Sequence, residues 1–313
     1  MYKIIFKNIK IQTKAFTLIE LMVVVAIIAI LSMFAINAIT NSKAKELADL
    51  NKARMISAQW KNSLAENMIS EWKFDEASGN TVYNSTDYGT QLDGTLSGSP
   101  TRKLAIDCVF SACVELDGTD DFITIADSNS VLPPADSTVA LWAYNGVGAK
   151  SYPTFYNRHN QIATAGFWWV YTSGTNEVNI VWQYANGTIY TTVSWTNVFP
   201  ANKWSYLVFV YDNIAKTITL YVDGVAQTPQ SIAGALPVTS GTLYIGSYGG
   251  ATASYAFTGK IDEFQTFDKV LSVSIIKDKY FAGLNNLLAK NEITIADYSE
   301  KLAGLQNETA AAK

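Results

Sequence analysis

The sequence predicts an α+β chain: one long amino-terminal helix, an antiparallel β-sandwich or jelly roll, and a short helical tail. Three observations carry this. Phe16 to Ile39 is long and apolar enough to span a bilayer as a helix, and neither Pro nor Gly occurs between Asn37 and Asn67. From Met68 the charge thins out, Gly, Thr, Tyr and Trp rise, and short alternating runs appear between turn signals. From Ser272 apolar residues recur at helical spacing. The net charge of −4 without a basic stripe gives nucleic-acid binding no support.

The first element carries an anomaly. Leu21 to Ile36 is apolar apart from Ser32, yet Glu20 sits at its head. A carboxylate in hydrocarbon is costly and calls for a partner or a function. Lys3, Lys7, Lys10 and Lys14 precede it with no acid, which keeps that end cytoplasmic. A secretory signal should end in a small-x-small cleavage site, and Ser32 to Ala38 offers none. A plain anchor explains the length but not Glu20. The run Ala15-Phe16-Thr17-Leu18-Ile19-Glu20 resembles the processing site of type IV pilins and pseudopilins, with Ala15 where that family usually has Gly. The resemblance implies cleavage by a prepilin peptidase between Ala15 and Phe16, and N-methylation of Phe16. It also implies that Glu20 pairs with the terminal amine of a neighbouring subunit. Such a pair fixes register, because either charge buried alone is costly.

Beyond the membrane segment, Leu47, Leu50, Ile56, Trp60 and Leu64 recur at helical spacings among charged residues. A continuous helix from Phe16 to Glu66 would be about 75 Å long.

In the β region, Val178, Ile180, Trp182 and Tyr184 fall on one face of a strand. Trp204, Tyr206, Val208 and Val210 do the same, then Ile218, Leu220 and Val222. Asp223-Gly224, Asn186-Gly187 and Asp117-Gly118 read as tight turns. Five stretches then resemble laminin-G-like, concanavalin A-like domains in the family's order: Glu71 to Asn80, Val114 to Ile123, Lys203 to Tyr206, Tyr221 to Gly224, and Phe257 to Phe264. That resemblance implies two antiparallel sheets in a jelly roll.

Four chemistries are open to such a domain. Glycoside hydrolysis needs two carboxylates facing one sugar. Asp262 and Glu263 are adjacent, so regular alternation sends them to opposite faces, and no Glu-x-Asp-x-x-Glu run is present. His159 is the only histidine and reads as a solvated loop residue, which leaves neither a general base nor zinc well supported. The family resemblance implies one structural calcium ion, with Asp87 and Asp262 at the ligand positions; hard oxygen donors suit that ion. Glycan binding needs flat aromatic faces. Of the eight Trp, Trp168 and Trp169 are adjacent, so on a strand one faces in and the other out.

Cys108 and Cys113 are the only cysteines. On the outer side of a membrane helix they favour a disulfide, with the two cysteines opposite each other on a hairpin. In the tail, Ile275, Ile276, Tyr280 and Leu284 mark one helix. Thr294 with Asp297 caps a second that should run to about Leu305, leaving Asn307 to Lys313 disordered. The tail either packs on its own domain or stays loosely tethered.

The expected organisation is a basic leader at 1–15, a helix at 16–67, the sandwich at 68–276 and the tail at 277–313. The reading is of a pilin-like subunit that inserts in the membrane and displays a sandwich for a surface glycan or protein. Its alternatives are a type II secretion pseudopilin with a purely structural sandwich, and a surface-tethered glycoside hydrolase.

Overall fold

The computed structural model describes Leu18, Met22, Val23, Val25, Ile27 and residues 67–86, 89–126, 136–146, 151–159, 167–173, 176–183, 190–232, 241–250 and 253–311. The chain divides into two compact units, Met1–Gln59 and Trp60–Lys313. The described residues of the first unit are helical and exposed, from Leu18 to Ile27. Among the described residues no helix is long and apolar enough to cross a membrane. Ala15, Phe16, Glu20 and Asp87 lie outside the described residues, as do Tyr184 and the Asn186-Gly187 turn.

The second unit is a two-sheet sandwich, antiparallel throughout. The first sheet runs β14 (Val225–Ala226), β13 (Thr217–Val222), β12 (Trp204–Asp212), β7 (Ser137–Asn145), β17 (Thr258–Phe267), β5 (Ala112–Asp117), β4 (Thr101–Leu104). In addition β1 (Met68–Trp72) pairs with β17, and β15 (Gln230–Ser231) with β13. The second sheet runs β11 (Tyr190–Trp195), β10 (Glu177–Gln183), β9 (Phe167–Ser173), β8 (Thr154–His159), β16 (Thr242–Ile245), β6 (Phe122–Ile125), β3 (Gly94–Ser97), β2 (Thr81–Val82). The alternation reads true: Val178, Ile180 and Trp182 face the core between the sheets with Trp72, Tyr156, Leu207, Phe209, Ile218 and Leu220. Asp223 and Gly224, both at positive φ, make the tight turn from β13 to β14. β5 and β6 belong to opposite sheets, and the Asp117-Gly118 turn carries the chain across.

The tail packs on its own domain. Helix α1 (Val273–Ala289) is capped by Ser272 and buries Ile276, Tyr280, Gly283, Leu284 and Leu287. These residues cover Trp142, Trp204, Tyr206, Val208 and Val210, the outer face of the first sheet. Trp142 lies 5.1 Å from the Tyr206 ring and 5.7 Å from Tyr280. A Cβ on Gly283 would come within 2.2 Å of Trp142, so only glycine lets the helix approach this closely. Helix α2 (Ile295–Ala311) opens with reciprocal capping: Thr294 Oγ1 accepts from Asp297 N, and Asp297 Oδ2 accepts from Thr294 N. It runs past Leu305 to Ala311, so the expected disorder from Asn307 gives way to helix over most of that stretch. Leu305 is buried against the same cluster.

Two further expectations are corrected. His159 ends strand β8, paired with Phe167 and Thr242, and is not in a loop. The disulfide Cys108–Cys113 is formed, but Cys113 faces Lys103 across the β4–β5 hairpin, and Cys108 lies in the connection between those strands.

Candidate functional site

Strand β9 splits its tryptophans as alternation demands. Trp168 faces inward, is 8 % exposed and stacks on Trp182 with centroids 6.1 Å apart. It is core. Trp142, Trp182 and Trp195 are buried as well. Trp169 faces the other way and is partly exposed.

Around Trp169 four tyrosines gather from three separate segments. Tyr171, two residues along the same strand face, stacks on it at 4.2 Å. Tyr152, from the approach to β8, meets Trp169 edge-on at 5.8 Å and Tyr171 at 5.6 Å. Tyr248 and Tyr255, from the loop after β16, lie 4.9 and 5.6 Å from Trp169. Tyr152 also stacks on Tyr255 at 5.8 Å. Polar bonds fix the group. Trp169 Nε1 donates to Thr154 Oγ1 at 2.9 Å, Tyr152 N to Ser254 O, and Thr154 N to Tyr255 O. Burial, then Tyr152 and Glu177, raises the pKa of the Tyr171 phenol, so it stays a neutral donor at physiological pH. Tyr152 is 43 % exposed. The result is a partly open surface of aromatic rings, four of which carry phenol hydroxyls. Such a surface can stack on the apolar face of a ring while its hydroxyls bond to polar substituents. Beforehand it was legible only that one of Trp168 and Trp169 faces outward, not which. The Trp169-x-Tyr171 alternation could have added one partner, but no spacing rule connects Tyr152, Tyr248 and Tyr255.

The acids behave differently from the sequence expectation. Asp262 and Glu263 do not face opposite ways. A bulge between Asp262 and Gln265, with Glu263 at φ 51°, resets the alternation. Glu263 Oε2 accepts from Gln265 Nε2 at 3.2 Å, and its charge acts on Tyr206 on the covered outer face. Asp262 pairs with Trp142 on that same face. Burial first, then the neighbouring acid Asp75, pushes the Asp262 carboxyl up to about 7. Burial, then Glu71 and Asp262, pushes Glu263 up to about 8. Both carboxyls therefore lie on the outer face that α1 covers, Asp262 buried and Glu263 half-buried, and not on the Trp169 face.

Asp262 was also the anchor of the implied calcium site. It is buried, and its Oδ2 accepts from Phe110 N at 2.9 Å. Beside it the Lys290 ammonium, from the end of α1, donates to the carbonyls of Cys108 (2.9 Å), Val109 (3.1 Å) and Phe110. The ammonium takes those carbonyls, while Asp262 Oδ1 has no hydrogen-bond partner among the described residues and Asp87, the other implied ligand, lies outside them. Among the described residues Asp117, Asp120 and Asp121 also cluster. There Asp121 accepts from Ser99 N and Asp117 N, and Asp117 from Thr119 N, which is turn capping.

Comparison with known proteins fits this architecture. The domain resembles the solved binding domain of botulinum neurotoxin serotype D, with TM-score 0.57 and 18 % identity over 71 % of this chain and 53 % of that one. The serotype G binding domain gives 0.55 and 14 %, over 70 % and 51 %. The serotype D ligand binding domain in complex with N-acetylneuraminic acid gives 0.53 and 17 %, over 71 % and 52 %. The chain thus spans about half the length of these structures. No curated protein matches it. Residues 12–36 match the prokaryotic N-terminal methylation motif, which implies processing by a prepilin peptidase and assembly with like subunits. Residues 117–277 match the remaining signature, and the chain belongs to the concanavalin A-like lectin/glucanases superfamily.

Proposed function

We propose that this protein is a type IV pilin-like subunit whose sandwich binds a surface glycan at the aromatic surface around Trp169. The observation that carries the binding half is the convergence of Tyr152, Trp169, Tyr171, Tyr248 and Tyr255 on one partly open patch. The methylation motif supports the assembly half. In this reading a prepilin peptidase cuts between Ala15 and Phe16, and Glu20 pairs with the new amine of a neighbouring subunit. The domain is then displayed outside the membrane. It binds and does not hydrolyse: Asp262 and Glu263 lie on the face that α1 covers, and among the described residues the patch at Trp169 brings no carboxylate pair to a sugar.

The test is a glycan array with residues 60–313, the compact second unit. One similar structure holds N-acetylneuraminic acid, so sialylated glycans are probed alongside neutral ones. A specific sugar signal that disappears in Trp169→Ala supports the reading. Silence on all glycans, with a secretion defect on gene deletion, turns it toward the pseudopilin alternative. Terminal peptide mass spectrometry tests the assembly half. A mature chain beginning at Met1 removes it.

A further inference from the structure

Below the first turns of α1 lies a polar cluster that the binding reading does not use. Glu71 on β1 and Gln265 on β17 are direct partners across the strand pair. Gln265 is 6 % exposed. Its Nε2 donates to Glu71 Oε1 at 2.7 Å and to Glu263 Oε2 at 3.2 Å. Its Oε1 accepts from Lys279 Nζ at 2.8 Å. A side-chain amide is thus held with a primary amine on its oxygen and two carboxylates on its nitrogen. Glu263 reaches this place through a left-handed φ of 51°. That conformation is costly for a residue with a Cβ, and such strain concentrates at sites with a task.

We propose that Lys279 and Gln265 join in an intramolecular isopeptide bond. The lone pair of Nζ adds to Cδ of Gln265, the Cδ–Nε2 bond breaks, and Nε2 leaves as ammonia. Glu263, with Glu71 beside it, takes the proton that Nζ sheds and hands one to the departing nitrogen. One C–N bond forms, one breaks, and no oxidant or cofactor enters.

Two physical conditions favour the step. An amine attacks only when neutral, and burial lowers the Lys279 pKa against the pull of Glu71 and Glu263. Nucleophile and amide are also held in contact by the fold, which replaces an encounter in solution with a fixed geometry. The product would fasten α1 to the last strand of the first sheet by a covalent bond. The chain supplies its own control, since Lys216 Nζ meets Asn213 Oδ1 at 2.6 Å in an exposed turn. Water competes there, and no link is expected.

The test is mass spectrometry of the purified full chain, fully unfolded before digestion. The expected result is a mass one ammonia below that of the processed, disulfide-bonded sequence. Trypsin should release a branched peptide joining 261–269 to 278–290, with no cleavage after Lys279. Lys279→Arg keeps the charge but should restore the full mass, and Glu263→Gln should leave the chain folded and unlinked. Complete recovery of free 261–269 with cleavage after Lys279, from folded protein, overturns the proposal. A mass deficit that persists in Lys279→Arg, or that maps to Lys216, overturns it as well.

Discussion

The two outer faces of the sandwich have opposite fates. On the first sheet the outer face is sealed: α1 and α2 lay Ile276, Tyr280, Leu284, Leu287 and Leu305 over Trp142, Tyr206, Val208 and Val210. On the second sheet the aromatics around Trp169 stay partly open. Both faces are rich in aromatic residues, so composition does not separate them. What separates them is the tail, which supplies apolar side chains to one face only. A covered aromatic contributes to folding, and an open one is available to a ligand.

The largest expected effect comes from removing the cover. Truncation after Leu271 would bare the outer face of the first sheet and strip five apolar side chains of their burial. At roughly 1.5–3 kcal/mol for each buried side chain, the loss is about 10 kcal/mol, comparable with the whole stability of a domain. The truncated chain should aggregate or bind a hydrophobic dye when made without the tail. A monomeric product with an unchanged Tm would show that the helices are ornamental.

Much of this division was readable in the residues. Alternation in 178–182 and 204–210 correctly grouped the residues of each run on one face, and the adjacent Trp168 and Trp169 had to point opposite ways. The helical spacing of Ile276, Tyr280 and Leu284 announced the covering stripe. What could not be read depended on an irregularity or on distance. The bulge at Glu263 broke the two-residue period that had set Asp262 and Glu263 apart. Tyr152, Tyr248 and Tyr255 meet Trp169 only because β8, β9 and β16 are neighbours in the sheet, and their order there is not their order in sequence. Lys290 reaches Cys108, Val109 and Phe110 across 180 or more positions, beyond any local pattern.

A second prediction sharpens the covered side. Replacing both Cys108 and Cys113 with Ser opens a loop with a sequence separation of 5, which should cost about 2 kcal/mol. The same loop presents the three carbonyls that hold Lys290. Hydrogen exchange should therefore quicken at the end of α1 as well as in the loop, while the Trp169 patch stays protected as before. Uniform loosening of both faces would argue against this local coupling.

Acidity gives a third, somewhat smaller effect on that side. The carboxyls of Asp262 and Glu263 are raised, to about 7 and about 8, among Glu71, Asp75, Lys73, Lys279 and Lys290. A raised carboxyl binds its proton more tightly when folded than when unfolded. Its contribution is therefore fully present below the unfolded value near 4 and is lost as pH rises through the folded value. Stability should therefore fall as pH rises from about 4 through about 8. Denaturant titrations across that range check it, and Asp262→Asn should flatten the curve. Stability that rises with pH over the same interval would contradict the burial of these acids.

The smallest effect on folding should come from the open face, and there the comparison becomes a matched pair of tryptophans. Trp142 and Trp169 both lie on outer sheet faces, and both touch a tyrosine ring within 6 Å. Trp142 is 2 % exposed and sealed by Tyr280 and Gly283. Its truncation to Ala leaves a cavity that the rigid sheet and helix cannot fill, at about 3–5 kcal/mol. Trp169 keeps part of its ring in water, and in Trp169→Ala the neighbouring tyrosines can shift into the space it leaves. The loss is one bond to Thr154 and part of an aromatic contact, or about 1–2 kcal/mol. Binding should reverse the ranking. Trp169→Ala removes the centre of the aromatic patch, where a hot-spot residue is worth about 2 kcal/mol or more, a loss of at least about 30-fold in affinity. A Trp142 variant that still folds should bind normally, because its face never meets the ligand. Equal damage to binding from both substitutions, at matched folded fraction, would mean that the ligand does not read the Trp169 face.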